Sequence, residues 1–171
     1  MKILTSIAVL AVLVGGASAA QSNGTKTIKA YYAKVDKLTL KKDVEGLHKL
    51  MVANTAQDYL FLFPPDRSGK SKTRTRQETI NDLEKVMPMI ATFSKASTQV
   101  KKLVTAKDSI VAYVIIDIQM TSLPKGDGKI HKLGSRILAE DTWVRVGSDW
   151  KLRTSKSAGD SKTLDGKPFS Q

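Results

Sequence analysis

Ile137-Leu-Ala-Glu-Asp-Thr-Trp-Val-Arg-Val146, then Gly147-Ser148, then Asp149-Trp-Lys-Leu-Arg-Thr-Ser-Lys156 is the stretch that decides how this chain folds. Two β-prone runs flank a Gly-Ser step, which is the chemistry of a two-residue type II′ hairpin. With that turn, Val146 faces Asp149, Arg145 faces Trp150 and Trp143 faces Leu152. One sheet face then carries both tryptophans, Leu152 and an arginine able to lie on indole. A three-residue turn would pair Val146 with Trp150 and send Trp143 to the other face. Large aromatics on one face read first as core or interface packing. The functional alternative is an aromatic wall with a cation for an acidic ligand.

Upstream, Ser97 to Thr105 and Ser109 to Thr121 read as strands, the second rich in Ile and Val. Pro124 to Gly128 is a loop. With Ile130 to Val146 and Asp149 to Ser157 they form a meander, and Asp165-Gly166-Lys167-Pro168 marks a final turn. Asp58 to Phe63 is a shorter strand whose continuous apolar run suggests burial on both faces, stopped by Pro64-Pro65.

The helical signals lie amino-terminal to this meander. Ile28, Tyr31, Tyr32, Val35 and Leu38 recur at three- and four-residue steps, with Lys29, Lys34 and Lys37 elsewhere on the wheel. Gln21 to Thr25 reads as a polar leader before that helix. Asp43 fits an N-cap for a short helix from Val44 to Val52. Thr75-Arg-Gln-Glu78 is a capping box, opening a helix to about Met87 that Pro88 ends. Helices gathered beside a mostly antiparallel sheet make the α+β class.

Met1-Lys2, the apolar run Ile3 to Val14 and the small-residue exit Ala17-Ser18-Ala19 match a secretory signal peptide. The run is shorter than the ~20 residues that span a bilayer. Residues 1–19 are therefore expected to be removed, leaving residues 20–171 as a single domain in a secreted or periplasmic location. A chain of this length buries about two-thirds of its unfolded surface. It contains no cysteine, so disulfides, thiol catalysis and cysteine-based metal sites are excluded. Asn23-Gly24-Thr25 matches a glycosylation acceptor, meaningful only in a eukaryotic secretory pathway.

The full chain carries a net charge of +12. Its densest basic cluster is Arg67, Lys70, Lys72, Arg74 and Arg76. No aromatic residues interleave it to stack bases, so a solvated loop is favoured over a nucleic-acid surface. The two histidines, His48 and His131, show no ligand spacing, which points away from a metal site. Nothing in the sequence points to a cofactor.

Lys42-Asp43-Val44-Glu45-Gly46-Leu47, Asp58-Tyr59 running into Phe61-Leu62-Phe63-Pro64-Pro65-Asp66, Thr142-Trp143-Val144-Arg145 with Asp149-Trp150-Lys151-Leu152, and Asp165-Gly166-Lys167-Pro168 together resemble the nuclear transport factor 2-like superfamily. Within that ketosteroid isomerase-like cone fold, the closest flavour is the branch of secreted or small stand-alone domains similar to SnoaL-like proteins and to the association domain of calmodulin-dependent kinase. The resemblance implies a curved sheet wrapped on three helices around a cone-shaped cavity. It also implies a small apolar or weakly acidic ligand, and homodimers through the sheet. Fold alone does not choose between binding and catalysis.

For catalysis the one candidate base is Asp117, on the strand face that also holds Val111, Tyr113, Ile115 and Gln119. Inside a dry cone its pKa would rise and it could move protons, as carboxylates do in ketosteroid isomerase. The plainer reading puts that face on the wet, outer side of the sheet. For binding, Tyr32, Phe61, Phe63, Met87, Tyr113, Trp143, Arg145 and Trp150 are the candidate ligand contacts. A non-catalytic ligand-binding or dimerising scaffold is the expectation, with an isomerase, dehydratase or cyclase using Asp117 as the alternative.

Overall fold

Turn and cap chemistry set most of the boundaries. The computed structural model describes residues 3–65, 69–124 and 128–168, with side chains from Ser22 onward. In chain order come α1 (Ile3–Leu40), α2 (Val44–Asn54), β1 (Thr55–Leu62), β2 (Thr73–Thr75), α3 (Arg76–Val86), a 3-10 turn (Met87–Met89), β3 (Ile90–Thr105), β4 (Ser109–Ser122), β5 (Lys132–Val146), β6 (Asp149–Leu164) and β7 (Lys167–Pro168). Asp43 caps α2, its side chain accepting from the Gly46 amide at 2.8 Å. The Thr75–Glu78 box is closed in both directions. Pro88 sits in the 3-10 turn that ends α3, where its missing N–H costs least.

All strands join one sheet in the order β2-β1-β6-β5-β4-β3, with β7 on β6. Every pairing is antiparallel except β1 with β6. The helices pack on the curved, unclosed sheet, which makes the molecule α+β as expected. The β5–β6 turn has two residues, so Arg145 pairs with Trp150 and Trp143 with Leu152. Gly147 takes φ +63 while Ser148 does not turn positive, the type II′ pattern.

The main core lies between α1 and the inner face of this sheet. Ile28 and Tyr32 of α1 meet Tyr59, Ile110, Ala112, Val114, Trp143, Trp150 and Leu152. Trp143 is fully buried. It removes on the order of 200 Å² from water, roughly 5 kcal/mol at ~25 cal/mol per Å². A second cluster, Leu47, Met87 and Ile90, closes the other end of the helices.

Several boundaries differ from the sequence reading. Helix α1 runs unbroken through the segment Gln21 to Thr25 expected to be a leader. Gly24 is the reason α1 can lie close here: a Cβ on it would sit 2.6 Å from Ile110 Cδ1 and 2.8 Å from the Trp150 indole. Strand β3 begins seven residues earlier than expected and β6 ends seven later. Backbone pairing ignores side-chain polarity, so the long partners β4 and β5 extend both. Strand β1 is not buried on both faces: Gln57, Asp58 and Leu60 are exposed while Tyr59 is buried. Core packing covers only its inner face, at Tyr59, and its other face stays open to water. Arg67 of the basic cluster, residues 125–127 of the Pro124–Gly128 loop, and the side chains of residues 1–19 lie outside the described residues.

Candidate functional site

A cavity of about 270 Å³ opens between α1, β1 and the inner face of the sheet. Two consecutive turns of α1 line one wall, because Tyr32, Val35, Asp36 and Thr39 fall at helical spacing on one face. Tyr59 and Phe61 of β1 line a second wall, two residues apart and so on the same strand face. Ala96 and Thr98 of β3 with Ile116 and Ile118 of β4 form a third. Asp141, Leu152 and Ser155 complete the lining from β5 and β6.

Asp141 is the chemical centre of this cavity. It is buried, yet it lies one strand alternation from Trp143, so period two sends it inward with the core. Tyr32 Oη donates to its Oδ2 and Ser155 Oγ donates to its Oδ1, each at 2.5 Å. The direction of the first bond is fixed by a third group. Trp143 Nε1, a donor only, reaches Tyr32 Oη at 3.4 Å, so the phenol proton points to Asp141. Burial pushes the Asp141 pKa up, while the Ser155 and Tyr32 hydrogen bonds pull it back toward the ionised form. Burial is also the largest cause holding the Tyr31, Tyr32 and Tyr59 phenols well above their ordinary value. These three remain protonated donors throughout the physiological range.

A β-bulge puts Ser155 in place. Trp143 pairs with Leu152 but Thr142 pairs with Thr154, so β6 carries an extra residue at Arg153. Leu152 and Ser155 thereby both face inward, and Ser155 comes directly opposite Asp141. Unbulged, Thr154 would stand there instead.

Asp36 is the second carboxylate in the lining. Its oxygens accept from the Thr98 amide and the Thr98 hydroxyl, each at 2.7 Å. Strand β3 is an edge of the sheet, so Asp36 satisfies an N–H that no strand pairs and anchors α1 to that edge.

The structure separates the residues singled out from sequence. Tyr32 and Phe61 line the cavity. Trp143 stands beneath it, in edge contact with Tyr31 at 5.0 Å and Tyr32 at 6.2 Å, without lining it. Trp150 packs on α1 at Gly24. Phe63 sits outside, against Phe61 at 4.7 Å and under the Arg74 guanidinium at 4.7 Å. Met87 belongs to the second cluster. Arg145 is exposed and donates to the Gly147 carbonyl at 3.3 Å, so it contributes to the hairpin rather than to a ligand wall.

Asp117 and Tyr113 lie on the opposite face of β4 from Ile116 and Ile118, away from the cavity. Asp117 stands between Lys95 at 3.6 Å and Arg136 at 3.9 Å, and Tyr113 lies under Lys102. The candidate general base is therefore on the outer face, held by surface cations. Each histidine meets a carboxylate distant in sequence: His48 with Glu84 at 3.3 Å and His131 with Asp165 at 2.8 Å. Among the described residues no three His, Asp or Glu side chains gather in a metal-binding group.

No protein-family model matches the chain, and no curated protein matches it. Solved structures do. The Kfla4162 protein from Kribbella flavida aligns with TM-score 0.64 at 10% identity, covering 82% of this chain and 94% of that one. A nuclear transport factor 2-like superfamily protein from Salmonella enterica aligns with TM-score 0.53 at 16% identity, covering 81% and 92%. This is the nuclear transport factor 2-like fold. LinA shares it too, with TM-score 0.59 at 11% identity over 90% of this chain and 95% of that one. At such identities the nuclear transport factor 2-like assignment carries the cone and its cavity, and the chemistry rests on this chain's own residues.

Proposed function

We propose that this protein binds a small, largely apolar molecule in the cone, with Asp141 and its hydroxyl neighbours fixing the ligand's polar end. The observation that carries the reading is a cavity of about 270 Å³ walled by Tyr31, Tyr32, Tyr59, Phe61, Ile116 and Ile118 around one buried carboxylate. Apolar walls with a few convergent polar groups are the usual construction of a small-molecule site. The volume suits a single ring with a short substituent. Titration of the protein with benzyl alcohol, followed by calorimetry, tests it. Binding to the wild type that is lost in Ala96→Phe, which fills the cavity from β3, supports the reading. Equal binding to both proteins contradicts it.

Proton transfer is the second reading, and it moves from Asp117 to Asp141. What favours it is that Asp141 lines the cavity and burial raises its proton affinity. Recovery of bound ligand unchanged after prolonged incubation argues for binding alone.

The outer face supports self-association. Val104, Tyr113 and Leu138 expose apolar surface there, across adjacent strands β3, β4 and β5. The amino-terminal segment supports a secreted or periplasmic location. Cleavage after Ala19 leaves Gly24, Ile28 and Tyr32, the residues with which α1 packs, on the mature chain. Among the described residues no helix is long and apolar enough to cross a membrane. Sequencing the amino terminus of protein from its own host would read the cut directly.

A further inference from the structure

We propose that the cavity selects a small organic cation, an aryl or alkyl amine in its ammonium form, seated on the Asp141 carboxylate within the tyrosine walls. The inference rests on the ligand-binding reading above and adds the charge of the ligand. In a chain of net charge +12, no lysine, arginine or histidine lines this cavity among the described residues. The charged side chains that do line it are both acidic, Asp36 and Asp141. No cation among the described residues pairs with either one. Each is held by two hydrogen bonds from neutral groups. A carboxylate has about four lone-pair directions, so each retains capacity for a further donor.

The walls suit the same ligand. Tyr31, Tyr32, Tyr59 and Phe61 supply aromatic rings around the acid, and ring faces attract ammonium groups, more strongly where water is excluded. Asp36 stands one helical turn along α1 from Tyr32, the hydroxyl that meets Asp141, so the two acids flank a single stretch of wall. An anionic ligand finds no cation there among the described residues and faces two acidic side chains. The protein's overall positive charge does not decide the matter. It is spread over the surface and screened beyond about 8 Å at physiological ionic strength, whereas the two carboxylates line the cavity itself. The buried carboxylate also gains the counter-ion that its desolvation calls for.

Three molecules of one size separate the possibilities: benzylamine, benzyl alcohol and benzoate, titrated by calorimetry at pH 7 into the wild type, Asp141→Asn and Asp36→Asn. The expected order is benzylamine tightest, by about tenfold or more over benzyl alcohol, with no binding of benzoate. Asp141→Asn is expected to erase the amine's advantage, benzylamine then binding no more tightly than benzyl alcohol does to the same variant. Should that variant fail to fold, Asp36→Asn, at a half-buried position, is expected to reduce the advantage. Benzyl alcohol binding as tightly as benzylamine, benzoate binding, or an amine preference untouched by the substitutions overturns the charge inference alone. Failure of all three molecules to bind overturns the cavity reading together with it.

Discussion

The Tyr32 hydroxyl donates to the Asp141 carboxylate across 109 positions of sequence. That bond joins α1 to β5 at the floor of the cavity and completes a relay from Trp143 Nε1 through Tyr32 to Asp141. Tyr32→Phe keeps the ring and removes the relay's middle. It leaves the indole N–H without its acceptor and Asp141 Oδ2 without its donor. The expected loss of stability is about 1–3 kcal/mol, the usual cost of stranding buried polar groups. Urea denaturation measures it, and an unchanged midpoint would show that the relay is energetically idle.

Asp141 also sets a pH dependence whose sign is fixed. Burial raises its folded-state pKa above the ordinary 3.8. Below that value both folded and unfolded chains hold the proton and nothing is lost. As pH rises from there toward the folded-state pKa, the unfolded chain releases its proton first, so wild-type stability falls. In Asp141→Asn this term is absent, and titrations elsewhere in the molecule cancel in the comparison. The stability difference between variant and wild type should therefore shift in the variant's favour as pH rises, then level off. Urea unfolding of both proteins from pH 3 to pH 9 reads the difference, and parallel curves would refute the raised pKa.

Gly24 is expected to tolerate no side chain. Its added Cβ would meet Ile110 Cδ1 and the Trp150 indole well inside contact distance. Gly24→Ala should cost about 1–3 kcal/mol through displaced core packing. Gly159→Ala, with nothing within 4 Å of the new methyl, serves as the matched control. Thermal unfolding of the two variants compares them, and equal melting temperatures would mean that α1 is not seated against Trp150.

Self-association through the outer face predicts sensitivity at Tyr113 and Leu138. Each is exposed by about two-fifths of its surface, at 39% and 45%. Leu138→Lys combined with Tyr113→Lys should convert a dimer to a monomer in sedimentation velocity while leaving ligand titrations unaltered. A wild type that already sediments as a monomer at high concentration would remove that surface from consideration.

Local chemistry made the Trp143–Trp150 hairpin legible: its turn residues and flanking alternation are contiguous, so the register follows from ten residues. The caps at Asp43 and Thr75 were legible for the same reason. Asp141 was not, although it stands two residues before Trp143 on the same strand face, which is a usable signal for a buried carboxylate. What hid it was its partner set. Tyr32 lies on a helix far upstream, and Ser155 reaches it only through the extra residue at Arg153, a bulge that no simple alternation foretells. Asp117 drew notice because Val111, Tyr113 and Ile115 share its strand face, which could line a dry cone. That face turns outward, and Asp117 pairs there with Lys95 and Arg136. The polar ends of β3 and β6 were missed because their pairing is made by backbone groups.

A crystal structure of the protein with benzylamine tests the central claim most directly. The account predicts an aromatic ring between Tyr31, Tyr59 and Ile116, with the ammonium nitrogen about 3 Å from a carboxylate oxygen of Asp141. Density for the amine confined to the outer face near Asp117, or a cone whose side chains have closed over an empty floor at saturating amine, would contradict it.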